Sequence, residues 1–99
     1  MTNSTPTDTD TSPIFHLLEI VKQLRDRDHG CPWDIKQTFA TIAPFTIEEA
    51  YEVLDSIQRN DISGLKDELG DLLFQVVFLS QIATEENSFD FNQVVNHVT

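Results

Sequence analysis

An all-α fold follows from three features of this 99-residue sequence. Apolar residues recur at three- and four-residue spacing from Ile14 onward, the period of a helix with one buried face. No stretch alternates apolar and polar residues for long enough to read as a half-buried strand. The links between the helical segments are short, which favours antiparallel neighbours, so the expected architecture is an antiparallel helical bundle.

Residues 1–12, MTNSTPTDTDTS, carry no large apolar side chain after Met1 and cannot offset their ordering entropy, so they read as a disordered tail. The helical domain is expected over 13–99. Ser12 is a suitable N-cap and Pro13 a suitable first helical residue. Ile14, Leu17, Leu18, Val21 and Leu24 then carry a first helix to about Arg25. His29-Gly30-Cys31-Pro32 breaks it. Residues 33–44 read as loop, with a short helical turn around Thr38–Ile42 and Asp34 as its N-cap. Thr46 and Glu49 fit a capping box, so a second helix is expected from about Ile47 to Arg59. Asp61 or Ser63 caps a third, from about Gly64 to Glu86. After Asn87-Ser88, Asp90 caps a fourth over Phe91–Val98. That helix reaches Thr99, the last residue, as it would in a piece of a longer protein.

Charge narrows the functional classes. Seventeen acidic residues against six basic ones set a formal net charge of −11. A nucleic-acid binder needs a basic stripe to displace counterions, and an anionic membrane surface makes the same demand, so neither is expected as a partner. A single cysteine, Cys31, excludes an intrachain disulfide. No apolar run has membrane-spanning length and the N-terminus lacks the pattern of a signal peptide, so the expected location is the cytoplasm.

The informative segment is KDELGDLLFQVVFLSQIA, from Lys66 to Ala83, where carboxylates open a run of almost wholly apolar residues. On the third helix Glu68 shares a stripe with Leu72 and Leu79, and Asp71 lies about 60° away. Leu73, Phe74 and Val77 cover the opposite side. A helix apolar all round is buried on several sides, which places Glu68 and Asp71 at the rim of a core. The same girth (Leu73, Phe74, Val77 and Phe78) exceeds what one small helical layer covers, so the bundle is expected to be completed by dimerisation. On the second helix Glu48, Glu49 and Glu52 fall within a sector about 100° wide.

A partly buried carboxylate is protonated, paired or metal-bound. Basic partners are few, and none shares the stripe of Glu68. Carboxylates converging from two helices form an oxygen-rich site suited to Mg²⁺ or Mn²⁺. Two plainer readings compete: a solvated helix face, and acids complementing the positive end of a helix dipole. A diiron site is disfavoured because no glutamate has a histidine three residues later. His16, His29 and His97 are scattered.

EEAYE (Glu48–Glu52) followed by ELGD (Glu68–Asp71) resembles the E-E-x-x-E…E-x-x-D signature of MazG-type nucleoside triphosphate pyrophosphohydrolases, and GCPWDIKQTF is similar to the same family. The likeness covers roughly residues 14–98. It implies an all-α fold that dimerises, with Mg²⁺ held by Glu48, Glu49, Glu52, Glu68 and Asp71. It further implies hydrolysis of NTPs or dNTPs to the monophosphate and pyrophosphate by water attack at the α-phosphorus, as house-cleaning of the nucleotide pool. Glu48 or Glu49 is the candidate base. Trp33, Lys36 and Gln37 are candidate substrate contacts, with core packing, a free surface lysine and local capping as their competing uses. Arg25 and Arg27, with Lys36, are the few cations near enough in sequence to meet a triphosphate. Cys31 has no activating surroundings and is not expected to be a nucleophile. Gly70 either admits a close neighbour beside Asp71 or is simply tolerated. Some family members carry two such domains in tandem, which leaves a stand-alone enzyme and half of a larger one both open. The rival class is a catalytically silent helical module for dimerisation or nucleotide binding.

Overall fold

The computed structural model describes residues 12–99, so the tail expected over 1–12 lies outside the described residues except for Ser12. Five helices follow one another among the described residues: α1 (Pro13–Leu24), α2 (Pro32–Ile35), α3 (Phe39–Gln58), α4 (Ile62–Glu85) and α5 (Phe91–Val98). Among the described residues there is no strand, and no helix is long and apolar enough to cross a membrane.

Local chemistry explains each boundary. The Ser12 hydroxyl accepts the Phe15 amide at 3.3 Å and Pro13 opens α1. Asp61 caps α4 by accepting the Gly64 amide at 2.9 Å. Asp90 and Gln93 form a reciprocal capping box at the start of α5.

Two expectations at the centre of the chain are corrected. The long helix before the connection begins at Phe39 rather than near Ile47, because Thr38 and Thr41 make the capping box in place of Thr46 and Glu49. Pro44 is thereby carried inside the helix. An interior proline removes one helical hydrogen bond and costs roughly 3 kcal/mol. Here both Pro44 and Ala40, whose carbonyl loses its donor, are exposed, so water meets the unpaired oxygen. The second correction concerns Asp34, expected to cap the turn at 38–42: Thr38 caps it instead, and Asp34 is buried inside a separate one-turn helix α2 over Pro32–Ile35 whose N-cap is Cys31.

Helix α4 is the spine, packing against α3 along most of its length and against α1 and α5 near its C-terminal half. Val21, Ile42, Val77, Phe78 and Ile82 form the buried core, with Leu17, Leu18, Phe74, Leu79 and Phe91 packed around it. This core sits at one end of the α3–α4 hairpin. Toward the other end, Glu49 of α3 faces Glu68 and Asp71 of α4.

The turn between α1 and α2 is tight. The Cys31 amide donates to the Leu24 carbonyl at 2.9 Å and the Gly30 amide to that of Asp26 at 2.7 Å. A Cβ at Gly30 would fall 2.4 Å from the Leu24 oxygen and 2.5 Å from the Asp26 oxygen, both backbone atoms. By contrast, a Cβ at Gly70 would meet no atom within 4 Å, so no neighbouring helix of this chain requires that glycine. Substituting Gly30→Ala is expected to cost about 1–3 kcal/mol through forced backbone displacement. Thermal melts of the variant check this, and a melting temperature equal to that of the unaltered chain would refute the close approach.

Candidate metal centre

Three of the five predicted carboxylates come together. One oxygen from each of Glu49, Glu68 and Asp71 lies within 4.8 Å of the others. Glu49 is brought in by α3 and the other two by the first half of α4, so the site exists only because these helices pack side by side. Glu68 and Asp71 are three residues apart, neighbours on one helix face. Glu49 and Glu68 are half-buried and Asp71 is exposed. Glu48 and Glu52 are exposed and stand outside this closest set. They are nevertheless near enough for Glu48 to act on Glu49 and for Glu52 to act on both Glu49 and Glu68.

The site is electrostatically loaded against itself. Burial, first, and then the charges of Asp71, Glu48 and Glu52 raise the pKa of Glu49. Burial likewise leads for Glu68, followed by the charges of Glu52, Asp71 and Glu49 and a hydrogen bond with Asp71. Among the described ion pairs none involves these acids. Arg59, one candidate neutraliser, is taken by Asp55 at 2.9 Å and by Asp61 at 3.4 Å.

Fit to a hard cation rests on one further atom. Glu49 Oε2 is buried and has no hydrogen-bond partner. Buried carboxylate oxygens are normally satisfied, and leaving one bare costs on the order of 1–3 kcal/mol. An all-oxygen donor set of three acids, one of them carrying an unsatisfied buried oxygen, matches the preferences of Mg²⁺ or Mn²⁺. The solvated-face reading does not account for that oxygen.

The predicted substrate contacts occupy the loop beside the start of α3. Trp33 is 55% exposed, so it is not a core residue. Its ring stands edge-on to Phe45, with centroids 6.0 Å apart. Phe45 was not among the expected site residues, yet it precedes Glu49 by four positions and shares its helix face. That spacing was readable only once the helix was known to begin before Pro44. Lys36 is exposed and takes part in none of the described ion pairs. Gln37 donates its side-chain amide to the Trp33 carbonyl at 2.9 Å, closing the turn on itself. Arg25 is not free to meet a triphosphate: its guanidinium is committed to Glu85 and to loop carbonyls. Cys31 is half-buried with no basic group among its described contacts.

An all-helical hairpin presenting a carboxylate triad that could hold a cation defines the class, and comparison with known sequences narrows it to one family. Residues 37–99 match the MazG nucleotide pyrophosphohydrolase domain, and the chain belongs to that family. It is 63% identical over 81 residues to the nucleoside triphosphate pyrophosphohydrolase of Escherichia coli K12, covering 82% of this chain and 31% of that protein. It is 43% identical over 79 residues to the nucleoside triphosphate pyrophosphohydrolase/pyrophosphatase MazG of Thermotoga maritima, covering 80% and 31% respectively. A nucleoside triphosphate pyrophosphohydrolase of Mycobacterium tuberculosis is 38% identical over 60 residues, 61% of this chain and 18% of that protein. The chain thus spans about a third of the length of the first two relatives.

The raised pKa of Glu49 has a consequence for metal-free protein. A group whose pKa is higher folded than unfolded adds stability at low pH, below its ordinary 4.5, and loses that contribution as pH rises through the folded value. At neutral pH the charged Glu49 therefore destabilises the fold. Glu49→Gln is expected to raise the melting temperature by a few degrees in the presence of a chelator, with the gap closing as the pH falls below 4.5. A variant that melts lower than the unaltered chain at neutral pH, under chelation, would refute this account of the triad.

Proposed function

We propose that the domain is a Mg²⁺-dependent nucleoside triphosphate pyrophosphohydrolase, converting an NTP or dNTP and water to the monophosphate and pyrophosphate. The observation that carries this reading is the triad of Glu49, Glu68 and Asp71 with the bare buried oxygen of Glu49. The family and the names of the relatives support the same chemistry. House-cleaning of the nucleotide pool in the cytoplasm is the corresponding role.

Glu49, Glu68 and Asp71 would hold the metal, with Glu52 and Glu48 completing the acidic set. When bound, the ion supplies charge neutralisation of the triphosphate and acidification of a water. The protein's own part is to keep these acids in register across two helices. Glu48 stands outside the closest set and is the freer of the two candidate bases to accept a proton from the attacking water. Trp33 and Phe45 offer aromatic surface to a base, and Lys36 offers a cation to phosphate. Gln37 fixes the turn that carries them.

A second copy completes the bundle. Ile47, Tyr51 and Leu54 make an exposed stripe along α3, and Ile62, Leu69 and Leu73 make another along α4, each 40% exposed or more. Positions seven apart, or four and then three apart, lie on one helix side. Two adjacent helices presenting such stripes form the kind of patch that a monomer rarely leaves in water. A dimer, or a dimer of dimers, is the proposed assembly.

Product analysis tests the activity. Incubated with each common NTP and dNTP and Mg²⁺, the protein is expected to yield monophosphate and pyrophosphate. The double variant Glu49→Gln/Glu52→Gln should lose at least about a hundredfold in rate, because the metal's charge stabilisation goes with its ligands. Release of inorganic phosphate with a diphosphate would refute α-phosphorus attack, and no turnover at all would leave a silent module. For the assembly, light scattering at micromolar concentration should return at least twice the 11.3 kDa chain mass. Leu69→Glu/Leu73→Glu should return the monomer, and a monomeric unaltered chain would refute the dimer.

A further inference from the structure

The least expected side chain in the molecule is Arg25. It closes α1, and its side chain is only 8% exposed. Its Nε and Nη2 donate to the two carboxylate oxygens of Glu85 at 3.1 and 2.6 Å, a forked pair across 60 positions of sequence. Its Nη1 points the other way, donating to the backbone carbonyls of Asp34 at 2.7 Å and Gln37 at 2.8 Å, with that of Ile35 at 3.4 Å. The guanidinium carbon lies 5.5 Å from the centre of the Phe78 ring, within cation–π range.

The arrangement answers a local need. Helix α2 has only four residues, so the carbonyls of its last turn have few helical donors, and that of Asp34 is met by the amides of Lys36 and, at 3.3 Å, of Gln37. The short turn is otherwise held by its own backbone bonds and by buried Asp34, while Gln37 closes on Trp33 and Trp33 touches Phe45 at the ring edge. A guanidinium at the C-terminal end of this turn, adding a charge-assisted donor to the Asp34 carbonyl that the Gln37 amide meets only at 3.3 Å and to the Gln37 carbonyl beyond it, is a strong fastening. Because it grips backbone rather than side chains, it fixes the position of the 32–37 segment and leaves its outward side chains free.

We propose that Arg25 is a positioning residue for nucleotide recognition, clamping the 32–37 segment between α1 and Glu85 so that Trp33 and Lys36 are held beside the carboxylate centre. This rests on the nucleotide-hydrolase reading above and adds to it a residue that touches neither metal nor substrate. The link to the centre is short: Trp33 leans on Phe45, and Phe45 lies one helical turn before Glu49. Burial of Glu85 works against its charge, yet hydrogen bonds from Arg25 and Gln81 and the charges of Arg25 and Arg27 leave its carboxyl below the ordinary pKa, so the pair stays ionised at neutral pH.

Arg25→Lys tests the clamp, since an ammonium keeps the charge but cannot fork onto Glu85 while reaching the loop carbonyls. Glu85→Gln is the second variant, keeping the loop contacts while removing the charge partner. Trp33, the only tryptophan, reports directly on the loop. Expected for Arg25→Lys are about a twofold rise in acrylamide quenching of Trp33 and about a tenfold rise in KM, with kcat changed by no more than about threefold. The Mg²⁺ concentration needed for half-maximal thermal stabilisation should stay unchanged in both variants. Glu85→Gln should show the same pattern at smaller amplitude. Unaltered quenching and KM in Arg25→Lys would overturn the clamp. So would a joint loss of kcat, KM and metal response, which marks a general structural defect. If the unaltered protein turns over no nucleotide, the functional reading falls, and quenching alone then decides whether Arg25 orders the loop.

Discussion

Everything distinctive about this molecule depends on α3 lying against α4. That contact forces Glu49 of one helix toward Glu68 and Asp71 of the other, and three like charges then share a space less than 5 Å across. In the absence of a cation the arrangement is unfavourable. Burial and mutual repulsion push Glu49 and Glu68 toward their protonated forms, and one oxygen of Glu49 is left without a donor. A fold tolerates such a defect only if the rest of the hairpin is held firmly enough to impose it.

That firmness comes from the other end of α4. Val77, Phe78 and Ile82 are almost wholly buried against Val21 of α1 and Ile42 of α3, with Phe91 of α5 packed alongside. The Arg25–Glu85 pair lies over the same region, since the guanidinium faces the Phe78 ring. One half of α4 is thus a structural anchor, and the other half presents acids. The division leaves apolar stripes on the outer sides of both long helices, at Tyr51 and Leu54 and at Leu69 and Leu73. In the proposed assembly a second copy would cover such surface, which a small domain with few fully buried side chains gains from.

The reading of residues 32–45 shows where sequence patterns stop being sufficient. Pro44 looked like a boundary, because proline is costly inside a helix and Thr46 with Glu49 offered a ready capping box just beyond it. Thr38 and Thr41 were an equally good box one stretch earlier, and the choice between them depended on whether Ile42 would be buried. Its burial against α1 and α4 decides for the longer helix. Phe45 joined the site for the same reason, and Arg25 left the set of phosphate candidates because three carbonyls and a distant glutamate claimed it.

The sequence by itself determined the helical class, the caps at Ser12 and Asp90, a choice between Asp61 and Ser63 for the third, and which acids were candidates for a site. Spacing along a helix is local, and a carboxylate at the head of an apolar run is informative wherever the run packs. Only the tertiary structure decided which acids meet. Glu49, Glu68 and Asp71 converge most closely while Glu48 and Glu52 act on them from just outside, because the crossing of two helices sets how near each residue of the facing sides approaches. It also decided that Trp33 is exposed and that Arg25 is a fastening, since both depend on contacts across tens of residues that no local pattern encodes.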